Sequence, residues 1–242
     1  MFYFIVAFIC ALTGHFKIFF LFSICIIVHE MGHIFAALYY KWNIVKIIIL
    51  PFGGITIFNE IINKPIKEEF MIAIMGPIFQ IVFYLILVLL DINSFEYMMI
   101  NKIILFINLI PIIPLDGSKI IKLIGDYVLS FNLNLNINII ISFIFLNILF
   151  FYGIYISNLS IILMSIFLFK ENIKTIKNKK TIFNKFLLER TMYNFEYKKI
   201  KLIKNKNVKK MKRDYYHLFF YNHTYLKESD FLKLKFDLSY YL

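Results

Sequence analysis

Long apolar runs, broken by short polar or Gly/Pro-containing stretches, dominate the first 170 positions. Phe2 to Leu12 opens a first helix that is short for a crossing, since a span needs about 20 apolar residues. Phe16 to Tyr40 is long enough, and it closes on Tyr39, Tyr40, Lys41 and Trp42, an aromatic and basic interfacial cluster. Over Asn43 to Glu60 the pattern changes. β-Branched and aromatic residues flank Pro51-Phe52-Gly53-Gly54, which predicts a strand, a turn and a second strand. Asn63-Lys64-Pro65 marks a break, Glu68 and Glu69 suit a helix first turn, and Phe70 to Leu90 is an apolar segment about 31 Å long if helical. Gly76-Pro77 inside it predicts a kink or a close approach of helices. Tyr97 to Ile113 is the next span, interrupted near its end by Asn108, Pro111 and Pro114. Ile137 to Phe169 is too long for one crossing, and a turn through Ser157 and Asn158 divides it in two. The expected fold is an all-α polytopic membrane protein of about six transmembrane helices, with a short membrane-associated β-hairpin loop and a small cytoplasmic tail. The boundaries are 1–170 for the membrane domain and 171–242 for the tail.

Composition agrees with this pattern: 60% hydrophobic residues and a mean hydropathy of +0.73 exclude a soluble domain. Charge adds a direction. The chain carries +12, and the whole excess lies from Lys170 onward, where 19 basic residues meet 7 acidic ones. Placing the tail in the cytoplasm puts Lys41, Lys46, Lys64, Lys67, Lys119 and Lys122 on the same side and leaves Lys17 and Lys102 opposite. Phe183, Phe186, Leu187 and Leu188 among the tail lysines predict an amphipathic stretch lying on acidic lipid. With no nucleic-acid motif, the bilayer is the expected partner and direct nucleic-acid contact is not. Cys10 and Cys25 sit in apolar runs and read as free thiols, and Met1 to Leu12 lacks the basic start of a cleavable signal peptide.

The costly positions carry the chemistry. His29-Glu30-Met31-Gly32-His33 puts three ionisable groups inside an apolar run, at about 2.5 to 3.5 kcal/mol each. On a helix His29 and His33 share a face, so both imidazoles reach one ion; this is the HExxH zinc-hydrolase pattern, with Glu30 as general base. Catalytic zinc takes three protein ligands, and Asp116, after the Pro-broken segment, is the natural third. Each residue also has a bland reading. The cluster would serve as polar glue between helices, Asp116 as a helix cap, and Asn108 as a helix link instead of a substrate-binding group. A metal or proton-coupled transporter would use the same His/Asp cluster, with Glu30 as a proton relay. Asp91, Glu96 and Asp126 read as solvated loop charges, and His15, His217 and His223 as interfacial or surface histidines.

On these residues the chain resembles the site-2 protease family of intramembrane zinc metalloproteases, in particular its endospore-forming branch. The likeness runs through His29-Glu30-Met31-Gly32-His33 and Asn108-Leu-Ile-Pro111-Ile-Ile-Pro-Leu-Asp116-Gly117. It also takes in Thr13-Gly14-His15, Leu50-Pro51-Phe52-Gly53-Gly54, Lys64 to Phe70, Gly76-Pro77 and Phe186 to Arg190, covering most of residues 1–190. The resemblance implies one Zn2+ on His29, His33 and Asp116, Glu30 as catalytic base, and Asn108 as a substrate-binding residue. It further implies a membrane-associated pro-sigma factor, pro-sigma-K, as substrate, inhibitory membrane proteins as regulators, and a site in the membrane surrounding the forespore; an oligomer stays open. Two departures stand out: Ser118 replaces a second glycine, and the tail is too short for a tandem CBS domain, leaving room for a shortened CBS-like segment from about Asn194.

Overall fold

The computed structural model describes residues 8, 10–50, 53–58, 61–92, 94–204, 206–221 and 223–238. The predicted first helix, Phe2 to Leu12, lies mostly outside them, as do Pro51 and Phe52 of the predicted hairpin turn. The chain divides into two compact units. The first comprises Met1–Glu60, Phe70–Pro111 and Leu115–Ile120; the second comprises Ile61–Glu69, Ile112–Pro114 and Ile121–Leu242.

The first unit is built on α1 (Phe16–Tyr39). It is followed by a hairpin of β1 (Ile44–Leu50) and β2 (Gly53–Phe58), by most of α2 (Ile66–Leu89), and by α3 (Phe95–Leu109). The strands pair antiparallel from Leu50 opposite Gly53 to Ile44 opposite Phe58, with an irregularity between Ile44 and Lys46. Ser94 caps α3 by accepting from the Tyr97 amide, which places the helix start two residues before the predicted span. Cys25 and Ile26 of α1 pack on Tyr97 and Ile104 of α3, with Phe83, Tyr84 and Leu87 of α2 against them. Gly32 brings α1 onto α2, because a Cβ there would lie 2.3 Å from the Met75 carbonyl oxygen. Close backbone approach at a small residue is how helices associate where lipid removes the hydrophobic drive. The outward faces are apolar: Phe20, Ile27, Phe35, Leu38, Val82, Leu85 and Ile86 are exposed while His29, Glu30 and His33 are buried. Polar inside and apolar outside is the membrane arrangement.

The second unit contains α5 (Phe131–Tyr155) and α6 (Leu159–Met192), separated where Ser157 and Asn158 predict the turn. Asn158 caps α6, its side-chain oxygen accepting from the Ser160 and Ile161 amides. Most of α4 (Asp116–Val128), an amphipathic helix where the sequence predicts a loop, also belongs to this unit. Asp126 is fully buried in it, against the expectation of a solvated charge. It accepts from Lys122, Asn134 and Arg213, at 3.0, 2.6 and 3.1 Å. Burial alone raises its carboxyl, but Lys122 and Arg213 outweigh that and hold it below the ordinary range.

The tail departs most from the expected all-α fold. β3 (Lys199–Ile203) runs parallel to β4 (Tyr215–Tyr221), which pairs antiparallel with β5 (Thr224–Lys227) before α7 (Glu228–Leu238). Its core is Ile203, Val208, Met211, Phe219, Phe231 and Leu232, joined by Phe131, Phe186 and Leu187. Phe186 and Leu187, predicted to face lipid, are covered by the tail instead, because α6 continues unbroken to Met192 and presents them to that sheet-and-helix core. His217 is likewise buried and not at a surface.

Among the described residues, three helices, α1, α2 and α5, are long and apolar enough to cross a membrane. α3 has 15 residues, about 22 Å, and α6 changes from an apolar start to a lysine-rich remainder at Lys170.

Candidate metal centre

His29 and His33 lie four residues apart on α1 and turn to one side, their rings edge-on with centroids 4.9 Å apart. Asp116 is the first residue of α4, beyond the Pro-containing stretch that ends α3. Its Oδ2 lies 2.9 Å from His29 Nε2 and 3.0 Å from His33 Nε2, and the two Nε2 atoms are 3.2 Å apart. One ligand atom from each residue falls within 4.8 Å of the other two, and all three residues are buried.

The other ring nitrogens are committed. His29 Nδ1 is 2.9 Å from Gln80 Oε1, and His33 Nδ1 is 2.8 Å from the Ile72 carbonyl oxygen. Both partners only accept, so each Nδ1 carries a proton that it donates, and in the neutral ring each Nε2 keeps its lone pair on the side of Asp116. Two such nitrogens and a carboxylate oxygen converging at this range form an all-acceptor set, the donor chemistry of a bound cation. The residues present fit zinc, which takes imidazole nitrogen and carboxylate oxygen. Lys119 donates to Asp116 Oδ1 at 2.9 Å, so the two carboxylate oxygens are divided between the lysine and the histidines.

Two glycines make the site sterically feasible. A Cβ at Gly76 would lie 2.3 Å from His33 Nε2 and 2.8 Å from His29 Nε2, and one at Gly117 would lie 2.1 Å from the Leu109 carbonyl oxygen. The predicted close approach at Gly76-Pro77 is therefore an approach to the imidazoles themselves.

Of the predicted site residues, the structure brings His29, His33 and Asp116 together. Glu30 is buried beside His29 on α1, and Asn108 is buried in the last turn of α3. Sequence reasoning missed Gln80, Asn101, Lys119 and the Ile72 carbonyl. Gln80 and Asn101 carried a usable signal as polar residues inside apolar runs. The Ile72 carbonyl carried none, because every residue has one.

Residues 17–97 match the model of peptidase family M50. Stage IV sporulation protein FB of Bacillus subtilis is 36% identical over 138 residues, 54% of this chain and 48% of that protein. Zinc metalloprotease MJ0392 of Methanocaldococcus jannaschii is 29% identical over 166 residues, 63% of this chain and 47% of the relative. The chain thus spans about half the length of these curated relatives. Among solved structures, the site-2 protease from Methanocaldococcus jannaschii superposes with a TM-score of 0.57 at 23% identity, covering 72% of this chain and 86% of that one. That likeness is one of fold.

Proposed function

We propose, from the match of residues 17–97 to the model of peptidase family M50, that the chain belongs to the site-2 protease family and is an intramembrane zinc metalloendopeptidase. The observation that carries the reading is the convergence of His29 Nε2, His33 Nε2 and Asp116 Oδ2. These three would hold one zinc ion per chain. When bound, zinc supplies a Lewis acid that polarises a peptide carbonyl and brings the pKa of water to about 7. Glu30 takes the proton from the attacking water and returns it to the leaving amine. Asn108 binds substrate backbone, Lys119 keeps Asp116 aimed, and Gly76 keeps the imidazole face clear of side-chain bulk. The transport reading finds no support in the comparisons.

The substrate of this reading is a membrane-associated protein, pro-sigma-K, processed during endospore formation. Support comes from the likeness to stage IV sporulation protein FB. The same reading places the chain in the membrane around the forespore under inhibitory membrane partners. It keeps about six crossings, with 1–170 as the protease domain and 171–242 as a basic mother-cell tail containing a shortened CBS-like segment. The mixed sheet and α7, packed with Phe131 of α5 around Ile203, Phe219, Phe231 and Leu232, support the reading of a folded tail. Co-expression with pro-sigma-K tests the mechanism. Glu30→Gln is expected to lower cleavage by about 10²- to 10⁴-fold with zinc content unchanged; cleavage at the wild-type rate would overturn it.

A further inference from the structure

We propose that Gln80, held by Asn101, is a positioning residue that fixes His29 in the tautomer and orientation a metal ion requires; this rests on the zinc-site reading above and deepens it. Gln80 is fully buried in the apolar run of α2, and Asn101 and His29 are 4% and 2% exposed. A carboxamide in such a place costs free energy unless each of its polar atoms is used, and here each is. Gln80 Nε2 donates to the Asn101 carbonyl oxygen at 3.0 Å and to Asn101 Oδ1 at 2.9 Å. A backbone carbonyl only accepts, so the nitrogen of the Gln80 amide must be the atom that faces Asn101.

That requirement propagates. With its nitrogen committed to α3, Gln80 can present only its oxygen to α1, and that oxygen can only accept from His29 Nδ1 at 2.9 Å. The proton of a neutral His29 then sits on Nδ1, and the Nε2 lone pair faces Asp116 Oδ2. A flipped Gln80 would set its oxygen against two acceptor oxygens and its N–H groups against Nδ1, so Asn101 blocks the other tautomer from a helix that supplies none of the three clustered residues. His33 is fixed differently, by the Ile72 backbone carbonyl, which no side-chain substitution removes. Of the two histidines, His29 is the one whose Nδ1 partner is a side chain. Partners of this kind typically govern metal affinity by about 10- to 100-fold.

The test is zinc affinity of the purified full-length protein in detergent, measured by chelator competition, with the visible spectrum of the cobalt-loaded protein as a second readout. Gln80→Met, an apolar near-isostere, is expected to weaken zinc binding by about 10- to 100-fold and to change the cobalt spectrum. Gln80→Glu keeps an acceptor opposite Nδ1 but sets its other oxygen against the two Asn101 acceptors, so it should bind zinc more tightly than Gln80→Met and less tightly than the wild type. Asn101→Leu removes one of the two acceptors that orient the amide and should shift affinity the same way by less. Wild-type zinc affinity in Gln80→Met overturns the proposal; if that variant does not fold, wild-type affinity in Asn101→Leu does so. His29→Ala separates the two levels, because undiminished zinc binding there would overturn the zinc site itself.

Discussion

At Gly76 the two imidazoles leave room for a hydrogen atom and nothing larger. Alanine is the better helix former by about 1 kcal/mol, so Gly76→Ala would strengthen α2 if the helix stood alone. Its Cβ, however, would meet His33 Nε2 at 2.3 Å and His29 Nε2 at 2.8 Å. A helix interior cannot shift one atom without moving its neighbours, so the rings must give. The expected outcome is a folded protein whose zinc affinity falls by more than the about 10- to 100-fold that follows loss of a supporting contact. Metal analysis beside size-exclusion chromatography checks both halves. At this scale the sequence was informative about chemistry and silent about partners. Two histidines four apart in an apolar run announce a shared ligand, whereas the groups that aim them come from residues 39 to 72 positions away.

Among the elements, the break between α3 and α4 decides whether Asp116 reaches the histidines. Pro111 and Pro114 predict the break, and irregular backbone at membrane depth must find its hydrogen bonds within the protein. Ile113 does so. Its amide donates to Ser142 Oγ of α5 at 2.8 Å, its carbonyl accepts from Asn172 Nδ2 of α6 at 3.1 Å, and Ser142 Oγ donates to Asn172 Oδ1 at 2.6 Å. Asn172 and Ser142 are fully buried. Asn172→Leu would leave that carbonyl without its donor, at a cost of about 1–3 kcal/mol, and should lower the thermal unfolding midpoint in detergent. An unchanged midpoint would show that the backbone finds another partner. The restart of the helix at Asp116 was not legible, because Lys119, Lys122 and Asp126 look like loop charges until their partners are known. Asp126 meets Arg213, 87 residues later, and Arg213 also contacts Glu69 at 2.7 Å.

For the molecule as a whole, the tail adds stability that depends on pH. His217 is fully buried in β4, its Nδ1 donating to Glu228 Oε2 of α7 at 2.8 Å while the Lys212 amide donates to its Nε2 at 3.0 Å. Burial lowers its pKa from the ordinary 6.5. The Glu228 contact raises it in part, and Arg190 of α6 and Lys201 of β3 lower it further. A proton on Nε2 would also face a donor. The unfolded chain therefore binds a proton near pH 6.5 that the folded tail refuses, so stability is full above that value and falls as pH drops toward the folded-state pKa. Asp214, whose carboxyl burial raises, works in the opposite sense, from the carboxylate range upward. Hydrogen exchange at the Leu218 and Phe219 amides of the full-length protein should show weaker protection at pH 5 than at pH 7, after correction for intrinsic rates. His217→Gln should flatten that dependence; an unchanged slope would assign it to other groups.

The sequence alone determined where apolar segments begin and end, where they break, and which residues are candidates for holding a metal. These are local properties: hydropathy, proline and glycine chemistry, and the four-residue spacing of His29 and His33 can all be read along the chain. It did not determine the sheet of the tail, where lysines interrupt the alternation of β3 and the covering residues Phe131 and Phe186 come from distant helices. Tertiary structure decided which polar groups meet. Asp126 and His217 read as surface residues because their charges are visible in the chain and their partners are not. The opening HExxH stretch gains what no spacing conveys: Asp116 Oδ2 within 3.0 Å of both imidazoles, and a protonated Nδ1 on each ring held by an acceptor from α2. Long-range contacts fix these features, since a ligand set closes only when segments far apart in sequence are packed to hydrogen-bond distance.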